Sequence, residues 1–512
     1  MNFWETVLCA SLASLLAIIL GGLHSMGAFR KRRPKEPPLD KGFIPWLGHG
    51  ITFKKSPLTF LEGMQKKHGD IFTCLVGGNY LHFVLDPFIY EALLKESEEK
   101  LDFSKSASMI AFNLFGVQPT QDQHKVAHMN MKHLRGKTLE ILNQRLMEKL
   151  QHIMLDGKHL RDGERSWQQD GIFHFSYRII FQATFLTLFG DETGRAALNK
   201  EADKESQPMS YGEMFEKFLK FDHLAPQMVI GMLDPQRKEE TDHLRNIFWD
   251  ILSVQKISLN ENISDWISEQ DRQLAEIGMD ETMRTKVMFL FFWVSQVNTG
   301  PAIFWILTYL LKHPEAMEAV RDEVDRALKG TGEEVKPGSP FIKATLATIK
   351  TPLLDSAILE TLRLRASPFM FRTVVQDTDI RMADGREYLV RKGDALLLFP
   401  FLAIHMDPEI HPDPHAFKFD RFVSPNGTRK EFYKDGKTLK HSILPFGAGH
   451  TKCPGRFLAV NEMKIFVFLM LIYFDIELVN PEEGIPSVEG SSYGFGTVKP
   501  SHDIQFKYRL RF

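Results

Sequence analysis

A single cysteine on a glycine-rich loop, Phe446-Gly447-Ala448-Gly449-His450-Thr451-Lys452-Cys453-Pro454-Gly455, is the stretch of this sequence best suited to holding a metal. Cys453 offers one soft ligand. Glycines 447, 449 and 455 let the backbone approach a flat group closely, and Pro454 suits a first helical residue, which needs no amide partner. The spacing places Cys453 at a helix N-cap, where free amides and the positive end of the helix dipole favour a thiolate, the form a soft-ligand iron site requires. A second chemical stretch is Ser295-Gln296-Val297-Asn298-Thr299-Gly300-Pro301, in the middle of an apolar helix predicted from about Met283 to His313. Pro301 has no amide and its ring collides with the carbonyl of Val297, so the helix must open or kink there. Backbone polar groups freed by the kink are costly unless water, oxygen or a side chain satisfies them. Thr299 supplies a hydroxyl, and Asn298 can orient a water but cannot act as an acid. A buried helix whose polar residues bond one another fits the same pattern. The third stretch, Glu360-Thr361-Leu362-Arg363, puts an acid and an arginine on one helix face. Alone, that pair is an ordinary surface feature.

Several elements must position these residues. Ile71 to Val76 and Tyr80 to Leu85 around Gly77-Gly78-Asn79 read as a β-hairpin, with Cys74 in it a small buried hydrophobe. From Pro87 to about Leu328 the apolar periodicity is mostly helical, as in Leu139–Leu155, Phe173–Phe189 and Met209–Leu219. Phe103 to Phe115, with Met109, Phe112 and Leu114, suits a loop folded over an apolar ligand, and plain core packing fits equally well. Arg372 to Phe399 reads as short antiparallel strands with turns at Ala383-Asp384-Gly385 and Lys392-Gly393-Asp394. Apolar residues Phe457, Leu458, Val460, Met463, Phe466, Val467 and Met470 predict a buried helix after Cys453. The tail from Phe474 to Leu510 reads as a final hairpin whose turn region, Ser491 to Phe495, is placed to touch a substrate.

The 512 residues carry 43% hydrophobic content and a formal net charge of -2, which supports a large core and gives no electrostatic reason to expect nucleic acid. Three cysteines, Cys9, Cys74 and Cys453, are too few and too scattered for a disulfide-stapled secreted protein. Residues 1–29 are apolar enough to cross about 30 Å of hydrocarbon as a helix. Arg30-Lys31-Arg32-Arg33 follows at once, which places the remainder on the cytosolic side of the membrane lipid. A cleaved signal peptide is the alternative, opposed by the length of the apolar run and the absence of an Ala-x-Ala site. Residues 30–48, basic and proline-rich, form a stiff hinge, and 49–512 form one catalytic domain.

The Phe-x-x-Gly-x-x-x-Cys-x-Gly order resembles the haem-binding signature of the cytochrome P-450 family, and the resemblance extends from about Pro34 to Phe512. It implies a mainly α haem-thiolate prism with a smaller β region. It makes Cys453 the ligand of haem b, with Phe446, Gly449 and Gly455 shaping the loop, and Arg135 and Arg372 as candidate propionate partners. A solvated Arg135 and a sheet-surface Arg372 are the plainer readings. Two residues before the cysteine, where the family has a base, stands Thr451. Glu360, Arg363 and Arg421 match the family's buried triad near the haem. Asn298 stands in the place of the family's acid and Thr299 keeps the alcohol that would relay protons to bound dioxygen. The implied cosubstrates are dioxygen and electrons from NADPH, delivered by a flavin reductase in the endoplasmic reticulum membrane; no nicotinamide fingerprint is evident in the chain. Lys67–Thr73, Asn298–Pro301, Leu311–Ala316, His405–Pro408, Cys453–Phe457 and Tyr493–Gly496 look like the branch of the family that hydroxylates sterols or rearranges a prostaglandin peroxide. Thr299 favours hydroxylation, because a pre-activated peroxide needs no proton relay and the branch's isomerases carry methionine there. The resemblance implies attack at 12α of a 7α-hydroxylated 3-oxo-Δ4 sterol, with 7α-hydroxylation as the neighbouring alternative. A rigid sterol suits a pocket drawn from Trp293, Val297, Pro368, Phe369 and Met370, although core packing explains each of these as well. A non-enzymatic haem carrier would need neither the thiolate nor the kinked helix.

Overall fold

The computed structural model describes residues 3–25, 27–119, 132–155, 166–191, 209–229, 231 and 233–512, with backbone only for 3–10 and Ala13. Helices dominate, and a smaller β region lies beside them, which is the mainly α architecture expected. The helices Ile172–Phe189, Thr299–Lys312 and Arg456–Tyr473 run through one large apolar core. Each is apolar around most of its circumference because each is surrounded by protein. The rings of Phe181, Phe185 and Phe189 meet Phe292 at 5.1, 5.4 and 5.8 Å, and each such pair adds about 0.5–1.5 kcal/mol beyond area burial. Ile172–Phe189 and the Glu281–Lys312 stretch are long and apolar enough to cross a membrane, yet both are mostly buried here. The N-terminal helix Phe3–Ser25 differs, since Leu12, Leu15, Leu16, Ile18, Ile19 and Leu20 all lie exposed.

A six-stranded sheet runs in the order Leu39–Asp40, Ile71–Val76, Asn79–Val84, Ala395–Leu398, Met370–Val374 and Leu101–Asp102. The hairpin at its centre pairs Ile71 with Val84 and Val76 with Asn79. Gly77 and Gly78, at φ of 55° and 80°, supply the positive-φ turn that the right-handed strand twist demands. Cys74 is fully buried in the second core under this sheet. The tail strands Phe474–Leu478 and Gln505–Leu510 pair antiparallel, and Gln168–Gly171 adds a third strand.

One expectation is corrected by local chemistry. Ser104–Phe115 is a helix rather than a loop, because Asp102 accepts from the amides of Ser104 and Lys105 and Gly116 closes the end at φ 68°. The helix turns Met109 and Phe112 outward, 55% and 51% exposed, and buries Leu114 and Phe115.

Residues 30–48 are bound closely to the sheet. Arg30 Nη1 donates to both oxygens of Asp394 at 2.6 and 2.7 Å, and His82 Nε2 bonds the same carboxylate at 2.8 Å. The Arg30 guanidinium covers the Tyr80 ring at 4.4 Å, and the Tyr80 hydroxyl donates to Gly27 O at 2.7 Å. Arg391 pairs with Glu36, and Leu39–Asp40 extends the sheet beside Thr73 and Cys74.

Candidate active site

The loop ahead of the Arg456–Tyr473 helix is closed by its own backbone, with Cys453 N donating to Phe446 O at 2.9 Å. Gly447 and Gly449 take φ of 67° and 68°, and a side chain on Gly449 would overlap the backbone of Leu94. The N-cap is Gly455, not Cys453, because the first helical bond runs from Ala459 N to Gly455 O. Cys453 therefore sits two residues before the cap. Burial pushes its thiol up, outweighing the amides of Gly455 and Arg456 and the Arg456 charge that pull it down. The dipole argument alone misses this desolvation, and without a metal Cys453 is a thiol. Phe457 is 44% exposed and carries the Arg456 guanidinium over its ring at 4.3 Å, so the first turn of the helix is not buried as expected.

Two histidines brace the chain leading into this loop. His405 Nε2 accepts from Leu444 N at 2.9 Å and His411 Nε2 donates to Ser442 O at 2.8 Å. Burial, with nearby Arg363, lowers the pKa of both imidazoles to about 3, so both are neutral near pH 7. Glu360 is completely buried between two guanidinium groups. Arg363 reaches it at 2.7 and 2.8 Å, and Arg421 Nε reaches both its oxygens at 2.9 Å. The remaining Arg363 and Arg421 donors go to the carbonyls of His405, Pro412, Asp413, Pro414 and Ala416. Such closure fixes one geometry, and the burial is deeper than the spacing alone implied.

The long apolar helix is broken where the proline argument places it: Glu281–Gln296 ends, and Thr299–Lys312 begins after an interval of two residues, Val297 and Asn298. Asn298 Oδ1 accepts from Thr497 N at 2.8 Å, and a side chain on Gly496 would overlap it. Thr299, buried, donates to Ser295 O at a long 3.5 Å. Gly300 lies against the Tyr177 ring with no room for a side chain. Around the break, Gln296 Oε1, Trp293 Nε1, Ser367 Oγ and Tyr177 Oη are buried without a hydrogen-bond partner among the described residues. Ala366 and Pro368 bridge to Thr497 and Gly494, which brings the C-terminal segment against the break.

The other expected residues divide. Trp293 and Val297 lie four apart where the first helix segment ends, and Trp293 packs on Phe115 at 5.6 Å. Met370 pairs with Leu398 at the start of its strand, and its sulfur faces Gly447. Phe369 turns into the second core against Phe399 at 4.6 Å and Phe53 at 5.8 Å, which favours the core-packing reading for it. Arg135 lies in the turn before the Gly136–Leu155 helix rather than on it, beside Arg456 and Phe457 at a cleft of about 350 Å³.

These residues fit a haem. Arg372 is buried and donates to two neutral oxygens, Phe371 O at 2.6 Å and Thr451 Oγ1 at 2.7 Å; no carboxylate pairs with it among the described residues. Burial lowers its pKa to about 10 against the pull of Glu98 and Asp102. A buried cation with neutral partners suits an anionic group such as a propionate. Thr451, where a base was expected, serves as an acceptor for Arg372. Cations crowd the same rim: burial and then Arg456, Arg135 and Arg429 lower the pKa of Lys452.

Sequence reasoning missed Glu462. It is the only acid in the Arg456–Tyr473 helix, a signal that an all-round apolar pattern should have raised. It accepts from the Thr184 hydroxyl and also lies against Thr299. Burial pushes its carboxyl up to about 8, opposed by those two hydroxyls.

The family model described as Cytochrome P450 matches residues 37–507. A 7-alpha-hydroxycholest-4-en-3-one 12-alpha-hydroxylase of Oryctolagus cuniculus is 44% identical over 507 residues, 99% of this chain and 99% of the relative. The human protein of that name is 44% identical over 512 residues, 100% of this chain and 99% of its own. Human prostacyclin synthase is 41% identical over 483 residues, 94% of this chain and 95% of its own.

Proposed function

This chain belongs to the cytochrome P450 family, and from that premise we propose that it is a monooxygenase that hydroxylates a sterol at 12α, with 7α-hydroxycholest-4-en-3-one as the substrate. The observation that carries the reading is 44% identity to 12α-hydroxylases along the whole chain. Thr299 supports it against the isomerase reading that the prostacyclin synthases suggest, since hydroxylation needs a proton donor at the oxygen side. Haem b bound through Cys453 would supply the chemistry, activating dioxygen with NADPH-derived electrons so that one oxygen atom enters an unactivated C–H bond.

The chain's residues do the rest. Phe446, Gly449 and Gly455 present Cys453 on a loop that the Glu360–Arg363–Arg421 cluster and the two neutral histidines hold in place. Arg372, oriented by Thr451, would hold a propionate, with Arg135 at the rim. Asn298, fixed by Thr497 N, keeps the helix open at Pro301, and Thr299 would hold a proton at the opening. Trp293 and Val297 would offer the sterol an apolar wall.

Residues 1–29 would anchor the protein as a single-pass helix in the endoplasmic reticulum membrane, with 30–48 as the junction and the 49–512 catalytic domain in the cytosol. The exposed leucines of the first helix support this, as do Phe43, Ile44, Trp46 and Ile51, exposed beside it in sequence. Electrons come from a partner reductase, for which we propose an NADPH-dependent flavin reductase in the same membrane. Incubation with 7α-hydroxycholest-4-en-3-one, this reductase and NADPH should give the 12α-alcohol. Conversion of prostaglandin H2 without NADPH, with no sterol product, would overturn the assignment.

A further inference from the structure

Lys499 takes no part in the reading above, yet it ties together two features on which that reading depends. Its ammonium group pairs with Asp222 Oδ2 at 2.5 Å and donates to the Asp222 carbonyl at 3.3 Å. Asp222 is 2% exposed, and among the described residues no other cation pairs with it. The second bond has a local cause. Pro226, inside the Tyr211–Val229 helix, stands one helical hydrogen bond after Asp222 and has no amide to offer its carbonyl. One side chain thus satisfies a buried carboxylate and the carbonyl that the proline frees.

Each end of this contact leads to the candidate site. Phe221, beside Asp222, packs on Phe115 at 6.0 Å and on Phe289 at 4.9 Å, and Phe115 backs Trp293 in the apolar wall. On the other side, Lys499 ends a strap, Thr497-Val498-Lys499, whose backbone is bonded at every residue. Thr497 N donates to Asn298 Oδ1, Val498 N to Arg365 O at 2.8 Å, and Lys499 N to Ser492 Oγ at 3.1 Å. Val498 O accepts from Trp305 Nε1 at 2.7 Å. The strap is therefore a fixture, and the Tyr211–Val229 helix is the part that Lys499 seats on it.

We infer that Lys499 is a positioning residue for the sterol: by tying the Tyr211–Val229 helix at its proline to the strap that also holds Asn298, it sets the distance between the apolar wall and the helix break, and so which sterol carbon lies at the break. A rigid apolar substrate has few polar groups to fix its register, so the placement of its wall decides. A displacement of about 1 Å at the reacting atoms is enough to change a rate about a hundredfold. This inference rests on the monooxygenase reading, and its first readout does not.

The test uses the full-length haem protein. Hydrogen exchange of the amides in residues 223–229 should quicken at least about tenfold in Lys499→Met and stay within about twofold of wild type in Lys499→Arg, which keeps the charge and its donors. The double variant Asp222→Asn with Lys499→Met leaves no buried charge unpaired, so its thermal midpoint should recover from that of Lys499→Met. Its exchange should stay fast. With the sterol, reductase and NADPH, Lys499→Met and the double variant should spread oxygen over more than one carbon, and the major alcohol's share of the product should fall at least about threefold. Lys499→Arg should keep the wild-type regiochemistry. Unchanged exchange in the two methionine variants, or unchanged regiochemistry in the double variant, would each overturn the inference, since the pair would then serve stability alone. If Lys499→Met does not fold, the double variant compared with Lys499→Arg decides. If wild type leaves the sterol unconverted while exchange behaves as expected, the substrate assignment fails and the seating of the helix by Lys499 stands.

Discussion

Glu360 and Glu462 are both carboxyl groups buried in this molecule, and they are handled in opposite ways. Glu360, behind the thiolate loop, meets two guanidinium groups, and nearly every donor on those groups ends on a carbonyl. Glu462, beside the helix break, meets two hydroxyls, and the hydroxyl of nearby Tyr177 has no partner among the described residues. The difference separates two tasks. A saturated ion cluster has one low-energy arrangement and suits a loop that must hold a ligand still. An under-satisfied neutral pocket leaves donors and acceptors for water or a reacting molecule to use.

The largest way to break the contrast is to remove what both sides serve. Cys453→Ala should abolish the thiolate-type band of the ferrous-CO spectrum and all sterol hydroxylation. Next is the saturated side. Arg363→Leu strands a buried carboxylate with one partner fewer, and should cost about 3–5 kcal/mol, seen as loss of bound haem and a lower thermal midpoint. On the open side, Thr299→Ala should leave the fold and the CO spectrum intact and lower product per NADPH at least about tenfold, with peroxide released instead. That asymmetry between unfolding and uncoupling is the sharpest form of the comparison.

The two sides should also respond to pH with opposite sign. His405 and His411, whose pKa values burial lowers to about 3, contribute stability that is complete above pH 6.5 and is lost as pH falls toward 3. Glu462, held protonated up to about 8, costs nothing below pH 4.5 and an increasing amount as pH rises to 8. The thermal midpoint of Glu462→Gln should therefore match wild type near pH 4.5 and exceed it by about 1–3 °C at pH 8. Smallest is the effect of deleting residues 2–29: haem content should not change, while membrane association in a flotation assay should weaken and not vanish. If the truncated chain cannot bind haem, the division at residue 29 is wrong.

Much of this was legible in the sequence because the chemistry was local. The Cys453 loop, the break before Pro301 and the Gly77-Gly78 hairpin each follow from a few adjacent residues with constrained backbones. What was illegible depends on pairs far apart in the chain. Glu462 gains its meaning from Thr184, 278 residues away, and Asn298 from Thr497, 199 residues away. The N-cap was misplaced at Cys453 for a related reason: the loop order suggests a helix start, but where the first helical bond closes, at Gly455, is set by the folded backbone. Thr451 looked like a missing base until Arg372, on a strand 79 residues earlier, was seen to use it.

The Arg30–Asp394 contact has a mechanical consequence. Only residues 26–29 separate the first helix from it, and four residues span at most about 14 Å. In the proposed membrane-bound state the catalytic body is therefore held on a short leash with a fixed attachment point, rather than drifting on a long linker. A catalytic body held at the bilayer surface meets lipid-dissolved sterols by a search in two dimensions, so turnover should follow the amount of sterol per unit of lipid and not its concentration in water.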